Sequence, residues 1–322
     1  MKKIKKIEHS QEWHTQRSKG LGGSDAGAVC GMNKYKSPYA LWCEKTGRVS
    51  CEIQDNERMR LGRDLEDYIA GRFTEVTGLK TKKTNYSYQS DKYPFMLANI
   101  DRWVTGAKDV NGNHKRIGLE IKTMSDFAAK NYGIEEGFIP DSYYAQCYHY
   151  MAVTEADGWY IAILVLGKYF DVFYIERDDD EIESLIDQER YFWAKVENDI
   201  QPPIDGSDST KETLNIQYPT SVESSDIELL RSEEVEAYRD LCEKSKELET
   251  AKKEYENMFK SDMQDAEKAH CGCLQITWKT GKSNRFDQSR FKKEHPDMYK
   301  EYMKESETRT FRTKFLNQED NT

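Results

Sequence analysis

The sequence predicts an α/β domain on a mixed central sheet flanked by helices. Three observations predict it. Helical and strand-like patterns follow one another as helix, strands, helix, strands, helix between residues 56 and 198. One run, Ile117-Gly118-Leu119-Glu120-Ile121-Lys122, alternates as a strand does. Two further runs, Trp159 to Leu166 and Tyr169 to Ile175, meet at Gly167-Lys168 as a hairpin.

The elements follow in chain order. Residues 13–47 read as a loop, a short helix opening near Ser24, and a second helix from Ser37-Pro38, where proline suits a first turn. Asn56 to Val76 reads as a helix because Met59, Leu65, Ile69, Phe73 and Val76 recur at helical spacing, and Gly78 closes it. Asn85 to Gln89 alternates like a strand. Phe95 to Val104 reads as a second strand, interrupted at Asp101, and Ile117 to Thr123 as a third. Ser142 to Val153 reads as a helix. Asp178 to Asn198 reads as another, opened by the acidic run Asp178-Asp179-Asp180.

Residues 1–200 therefore form the expected core. Residues 201–225, polar and proline-bearing, read as a linker. Residues 226–270 read as a long helix or helical hairpin. Leu241, Leu248 and Tyr255 fall seven apart, but Ser245 and Lys252 interrupt the companion register, so any coiled coil is short and imperfect. Residues 271–322 read as a small basic α/β module, with strands at Leu274–Trp278 and Thr310–Phe315 around helical segments.

Composition narrows the class. Of 322 residues, 37% are hydrophobic and 12% aromatic, enough for a real core. A charged content of 33% and a mean hydropathy of −0.90 mark a well-solvated chain. No apolar run approaches the ~20 residues of a membrane span. The basic start, Met1 to Lys6, has no apolar signal core behind it, so secretion is not expected. Seven irregularly spaced cysteines suggest reduced thiols and a cytoplasmic setting. Cys271-Gly272-Cys273 lacks a second pair, which weakens a zinc or iron–sulfur reading. Net charge is −10, unevenly distributed. Residues 205–270 carry 9 basic and 18 acidic side chains, whereas residues 275–315 carry 11 and 6. That basic segment can follow a phosphate backbone or simply solvate a small module.

The chemistry centres on Glu120 and Lys122. Strand alternation puts both on one face and Ile117, Leu119 and Ile121 on the other. With a second carboxylate from Asp101, 19 residues earlier, they can hold a divalent cation and position a water for phosphodiester hydrolysis. The same alternation fits a half-buried strand with a solvated face. Glu66, beside the apolar stripe of its helix and one turn after Gly62, can supply a third carboxylate, completing a hard-cation site of oxygen ligands. Arg17, followed by Gly20-Leu21-Gly22-Gly23-Ser24-Asp25, brings an arginine and a glycine-rich turn to a helix start, where anions bind. It is not a Walker loop, and an ordinary helix cap is the competing reading. Gln146, in Tyr143-Tyr144-Ala145-Gln146, can hold a phosphate or a water. Trp13, Trp42 and Trp103 can stack on bases or sit in the core.

Together these residues resemble the YqaJ-like viral recombinases, a group that includes the exonuclease of phage lambda and belongs to the PD-(D/E)xK nuclease superfamily. The resemblance runs in order through Trp13 to Arg17, Gly22 to Asp25, Leu61 to Glu66, Ala98 to Asp101, Leu119 to Thr123, Tyr143 to Gln146 and Ile175 to Asp178. It implies a restriction-endonuclease-like core and a Mg2+-dependent (or Mn2+-dependent) DNA exonuclease. Such an enzyme degrades duplex ends in the 5′-to-3′ direction and serves a phage or prophage recombination system in a bacterial cytoplasm. It also implies a homo-oligomer, a trimer as in the lambda relative, and a single-strand annealing protein as partner. By this resemblance Glu66, Asp101, Glu120 and the Ile121 carbonyl bind metal, and Lys122 serves the attacking water with help from Gln146. Arg17, Ser24 and Tyr143 contact phosphate or DNA. The family signature is often written with a proline near the first acid. Here Asn99-Ile100 precede Asp101. A phage-type endonuclease on the same core, or an inactive DNA-binding protein, are the competing functions. The intact set of Asp101, Glu120 and Lys122 argues against the last.

Overall fold

The computed structural model describes residues 1–5, 17–50, 55–305 and 307–315. Trp13 lies outside them. The chain divides into two compact units, Met1–Tyr218 and Pro219–Thr322.

The first unit is a mixed α/β structure in which helices flank mixed sheets. It opens with β1 (Lys2–Lys5), β2 (Leu21–Gly22), α1 (Gly23–Val29), α2 (Pro38–Lys45) and α3 (Glu57–Thr77). Then come β3 (Lys80–Lys83), β4 (Tyr86–Gln89), β5 (Met96–Ala98), β6 (Arg102–Thr105) and β7 (Ile117–Met124). It continues through α4 (Asp126–Tyr132), α5 (Asp141–Thr154), β8 (Gly158–Val165), β9 (Tyr169–Glu176), α6 (Asp179–Glu197) and α7 (Asp208–Gln217).

The five-stranded sheet runs β3-β6-β7-β8-β9. Within this sheet only β7 and β8 pair in parallel, which requires a crossover, and α4 and α5 supply it. A second sheet, β1-β4-β5-β2, was not foreseen. Its β4 and β5 match the strand read over 85–89 and the start of the one read over 95–104, whereas β1 and β2, of four and two residues, carry no periodic signal. The expected strand over 95–104 is divided between the two sheets. The chain leaves one at Ala98 and enters the other at Arg102, and the break holds Asp101.

Several local signals act as expected. Asn56 caps α3 by accepting from Met59 N, and Gly78 ends it at φ 73°, a conformation glycine adopts without strain. Ile69 and Phe73 of α3 pack on Ile117 and Leu119 of β7. Asp178 caps α6. Gly118 lies against an indole, since a Cβ there would fall 2.3 Å from Trp159 Cζ2.

The expected linker, 201–225, contains α7. Ser207 caps it, and polar bonds dock it onto α2. Thr210 Oγ1 donates to Ser37 Oγ at 2.7 Å, Ser37 N to Ser209 Oγ at 3.1 Å, and Tyr39 OH to Gln217 Oε1 at 2.6 Å. Leu214 packs on the neighbouring apolar cluster, but a helix held mainly by hydroxyls and an amide leaves no hydrophobic period to read.

A buried ion pair joins α5 to α6. His149 and Glu189 are both 0% exposed. Nδ1 of the ring lies 2.7 Å from Glu189 Oε1, and Nε2 lies 2.9 Å from the Leu97 carbonyl. A carbonyl can only accept, so Nε2 carries a proton, and the carboxylate facing Nδ1 favours a second one, and with it a positive charge. Burial opposes that charge, but Glu189 outweighs it and raises the His149 pKa. Removing one partner of such a pair costs about 3–5 kcal/mol, so His149→Ala is expected to lower the melting temperature markedly. The pair's contribution is complete below the unfolded histidine pKa of about 6.5. It is lost as pH rises through the higher native value. The stability gap between wild type and His149→Ala should therefore narrow in alkaline solution, as denaturant titrations across pH would show.

The second unit contains α8 (Ser232–Met263), the hairpin β10 (Lys268–Cys271) and β11 (Leu274–Thr277), α9 (Gln288–Glu294) and α10 (Pro296–Glu301). Of the two readings for 226–270, the single long helix holds, and the chain enters a strand at Lys268. Thr310–Phe315 is not a strand. Phe315 instead meets Tyr238, with ring centroids 6.1 Å apart. Cys271 and Cys273 are free and exposed at the hairpin tip. No helix among the described residues is long and apolar enough to cross a membrane.

Candidate active site

The register of β6 on β7 pairs Arg102 with Leu119 and Trp103 with Gly118. One step further sets Asp101 opposite Glu120. The Ile121 amide donates to Asp101 Oδ2 at 2.8 Å and fixes it there. The polar face of β7 is not solvated. α5 covers it, and Glu120 is only 4% exposed.

The two oxygens of Glu120 meet different surroundings. Oε1 accepts from Lys122 Nζ at 2.6 Å and from Gln146 Nε2 at 2.7 Å. Oε2 is buried without a hydrogen-bond partner. Lys122 Nζ also donates to Gln146 Oε1 at 2.9 Å and lies 4.9 Å from the centroid of the Tyr143 ring. Tyr143 is thus a cation–π neighbour of the lysine. Gln146 bridges lysine and glutamate with opposite ends of one amide.

Electrostatics follow from this packing. Burial, then the Glu120 charge, pushes the Asp101 carboxyl well above the usual carboxylate range, and Lys122 and the Ile121 amide offset this only in part. Burial works against the Lys122 ammonium, but Glu120, Tyr143 and Asp101 together raise its pKa. Burial, then Glu120, drives the nearby Cys147 thiol far up, so it stays protonated. The pair therefore offers carboxylate oxygens and no thiolate. Two carboxylates buried side by side, one with an orphaned oxygen, fit a hard divalent cation.

Glu66 is ion-paired elsewhere. Its Oε1 lies 3.3 Å from Arg102 Nη2 and 3.3 Å from Lys83 Nζ. Among the described residues no three carboxylate, histidine or cysteine side chains form a metal-ligating group; Glu66 is turned to these two cations, while its charge still bears on Asp101. Two cations are better neighbours for Glu66 than two buried anions. Gly62, expected to leave room here, is not close to its surroundings, since a Cβ would make only an ordinary 3.6 Å contact with Thr123 Oγ1.

Arg17 and Ser24 do meet, with Arg17 Nη2 donating to Ser24 Oγ at 3.2 Å. Beneath them is a buried pair that the sequence reading missed. Lys45 Nζ donates to Asp25 Oδ2 at 2.8 Å and to the Arg17 carbonyl at 2.9 Å. Asp25 Oδ2 also accepts from Gly22 N. Burial opposes the Asp25 charge, but Lys45, then Arg17, hold its pKa below the usual value. The glycines serve packing. A Cβ at Gly23 would lie 2.4 Å from the Tyr150 ring, and one at Gly27 would lie 2.7 Å from Ser142 Cβ. One face of α1 is thereby laid on α5.

Tyr150 was also missed. Its hydroxyl accepts from Gln146 Nε2 and donates to the Asn99 carbonyl, both at 2.9 Å. The i, i+4 spacing from Gln146 was the available signal. Trp42 is core, 2% exposed and stacked on Tyr39. It is not available to stack on bases. Trp103 packs on Tyr88 and Trp159.

Comparison with known proteins adds an independent line. Residues 12–157 match the model of the YqaJ-like viral recombinase domain. Over 305 residues the chain is 36% identical to the uncharacterized protein YqaJ of Bacillus subtilis (strain 168), covering 93% of this chain and 92% of that one. Among solved structures it is similar to an alkaline exonuclease, LHK-Exo, from Laribacter hongkongensis, at 21% identity and a TM-score of 0.49. That match covers 59% of this chain and 94% of the other. A phage-related exonuclease from Haemophilus somnus 129PT matches at 13% identity and a TM-score of 0.41, covering 56% and 96%.

Proposed function

The chain belongs to the family of YqaJ-like viral recombinases, and from that membership and the buried Asp101–Glu120 pair beside Lys122 we propose that it is a Mg2+-dependent deoxyribonuclease acting on duplex ends. The observation that carries this reading is Glu120 itself. One oxygen is held by Lys122 and Gln146, and the other is buried, unpartnered and beside a second carboxylate. Asp101, Glu120 and the Ile121 carbonyl would hold Mg2+ or Mn2+, and Glu66 would join them on exchanging its present cations. When bound, such an ion neutralises the phosphate and lowers the pKa of the attacking water.

The chain's own residues do the rest. Lys122 aims a donor at the developing charge or orients the water. Gln146 holds both Lys122 and Glu120. Arg17 and Ser24 grip a terminal 5′-phosphate, which makes the enzyme end-directed and its polarity 5′ to 3′. The test is an end-labelled duplex incubated with and without Mg2+, beside a closed circular duplex. Metal-dependent loss of label with the circle intact is expected. Cleavage of the circle would favour an endonuclease, and no cleavage of either would leave a binding protein. The proposal extends to a homo-oligomer, a trimeric ring as in the lambda relative, and to a single-strand annealing protein as partner. A monomer by sedimentation, both free and on DNA, overturns the ring.

The grip on the end has its own test. A charge-assisted contact is worth about 1.5–3 kcal/mol, roughly 10- to 150-fold. Duplexes with 5′-phosphate should be digested faster than those with 5′-hydroxyl by that order, and Arg17→Ala should erase the preference. Equal wild-type rates on both ends would make Arg17 structural.

A further inference from the structure

A groove of about 450 Å3 opens where the edges of the two sheets of the first unit approach one another. Lys3 comes from β1, Lys82 and Lys83 from β3, and Arg116 from the segment before β7. Tyr86, Tyr88 and Trp103 line it between these cations, and among the described residues no acidic side chain lines it. In a protein of net charge −10 this is a local reversal of sign. Its interior is ordered. Trp103 Nε1 donates to Tyr88 OH at 2.8 Å, and the Arg116 guanidinium lies 4.7 Å from the Trp103 ring centroid. Lys83 Nζ reaches Asp67 Oδ1 at 3.0 Å and Glu66 Oε1 at 3.3 Å, so the groove adjoins the helix that carries these acids, and the cations on which the proposal rests are Lys3, Lys82 and Arg116.

Lysine on an edge strand also discourages edge-to-edge pairing, and β1 and β3 are edges. That purpose does not account for Arg116, which comes from no edge strand, or for the aromatic lining. We propose that this groove binds the phosphodiester backbone of DNA, as a second contact surface outside the catalytic pair. Cations interleaved with aromatic faces are the chemistry that tracks a nucleic-acid strand without reading its sequence. The inference deepens the nuclease reading and rests on it for the identity of the polyanion.

The test measures DNA binding in the absence of divalent metal, across a sodium chloride series, for wild type and the triple variant Lys3→Glu/Lys82→Glu/Arg116→Glu. Each lost phosphate contact flattens the plot of log K against log salt by ~0.7 for single strands to ~0.9 for duplex. A total flattening of roughly 2–3 is expected. A control variant, Lys244→Glu/Lys246→Glu/Lys253→Glu on α8, makes the same change in net charge elsewhere and should keep the wild-type slope. Hydrolysis of thymidine 5′-(p-nitrophenyl phosphate), too small to reach the groove, should be unchanged in the triple variant. If that variant fails to fold, Lys82→Gln and Arg116→Gln singly should each flatten the slope by ~0.7–0.9. A slope unchanged, or changed no more than in the control, overturns the groove. Wild-type protein that binds with the expected slope yet never cleaves DNA would overturn the nuclease reading and leave the groove standing.

Discussion

Asp101→Asn is expected to abolish DNA cleavage while raising the stability of the metal-free protein. Both effects have one cause. Burial and the neighbouring Glu120 charge disfavour ionised Asp101, so the folded state prefers its proton more than the unfolded chain does. Stability is therefore lost as pH rises from the unfolded carboxyl pKa of about 3.9 toward the higher native value. Asparagine removes that cost and leaves an oxygen to accept from the Ile121 amide. It also removes a ligand. Metal stabilisation of transition-state charge is worth several kcal/mol, so the loss in rate should be about 10³-fold or more. Mg2+ should raise the melting temperature of wild type, which relieves two facing carboxylates, and should do little for Asp101→Asn. Glu120→Gln should be equally inactive, but without the gain in stability, because it weakens the partner of Lys122. Near-wild-type cleavage by either variant would remove the pair from the chemistry.

Lys122→Ala is expected to lower kcat by about 10²-fold or more, with KM for DNA little changed. The ammonium is held 2.6 Å from Glu120 and 2.9 Å from Gln146, over the Tyr143 ring. These three neighbours fix its position before substrate arrives, the condition for acting on the transition state rather than on binding. Because Lys122 also offsets the Asp101–Glu120 repulsion, its removal should destabilise the metal-free protein, and Mg2+ should recover part of the loss. A variant with normal kcat and weakened binding would make Lys122 a phosphate contact.

Much of the fold was legible because its signals are local. The stripe Leu65, Ile69, Phe73 and the alternation from Ile117 to Lys122 are periods that secondary structure imposes on any buried face. The interruption at Asp101 marked where one strand ends and another begins. The second sheet was legible only in Tyr86–Gln89 and Met96–Ala98, because strands as short as Leu21–Gly22 carry no period. Helix Asp208–Gln217 was not legible either, because apart from Leu214 its docking is polar. At Thr310–Phe315 the alternation was present, but no neighbouring strand pairs with it.

By itself the sequence determined which side chains share a face: Glu120 with Lys122, Gln146 with Tyr150, Gly23 with Gly27. Those relations follow from backbone geometry at short range. Tertiary structure alone decided what each face meets. It covered the polar side of β7 with α5 and so buried Glu120 against Asp101. It gave Glu66 to Arg102 and Lys83. It set Lys45 beneath Arg17, and it gathered lysines from two sheet edges around Trp103. Such contacts join residues up to a hundred positions apart, and they depend on burial and charge, which act through space and leave no spacing in the chain.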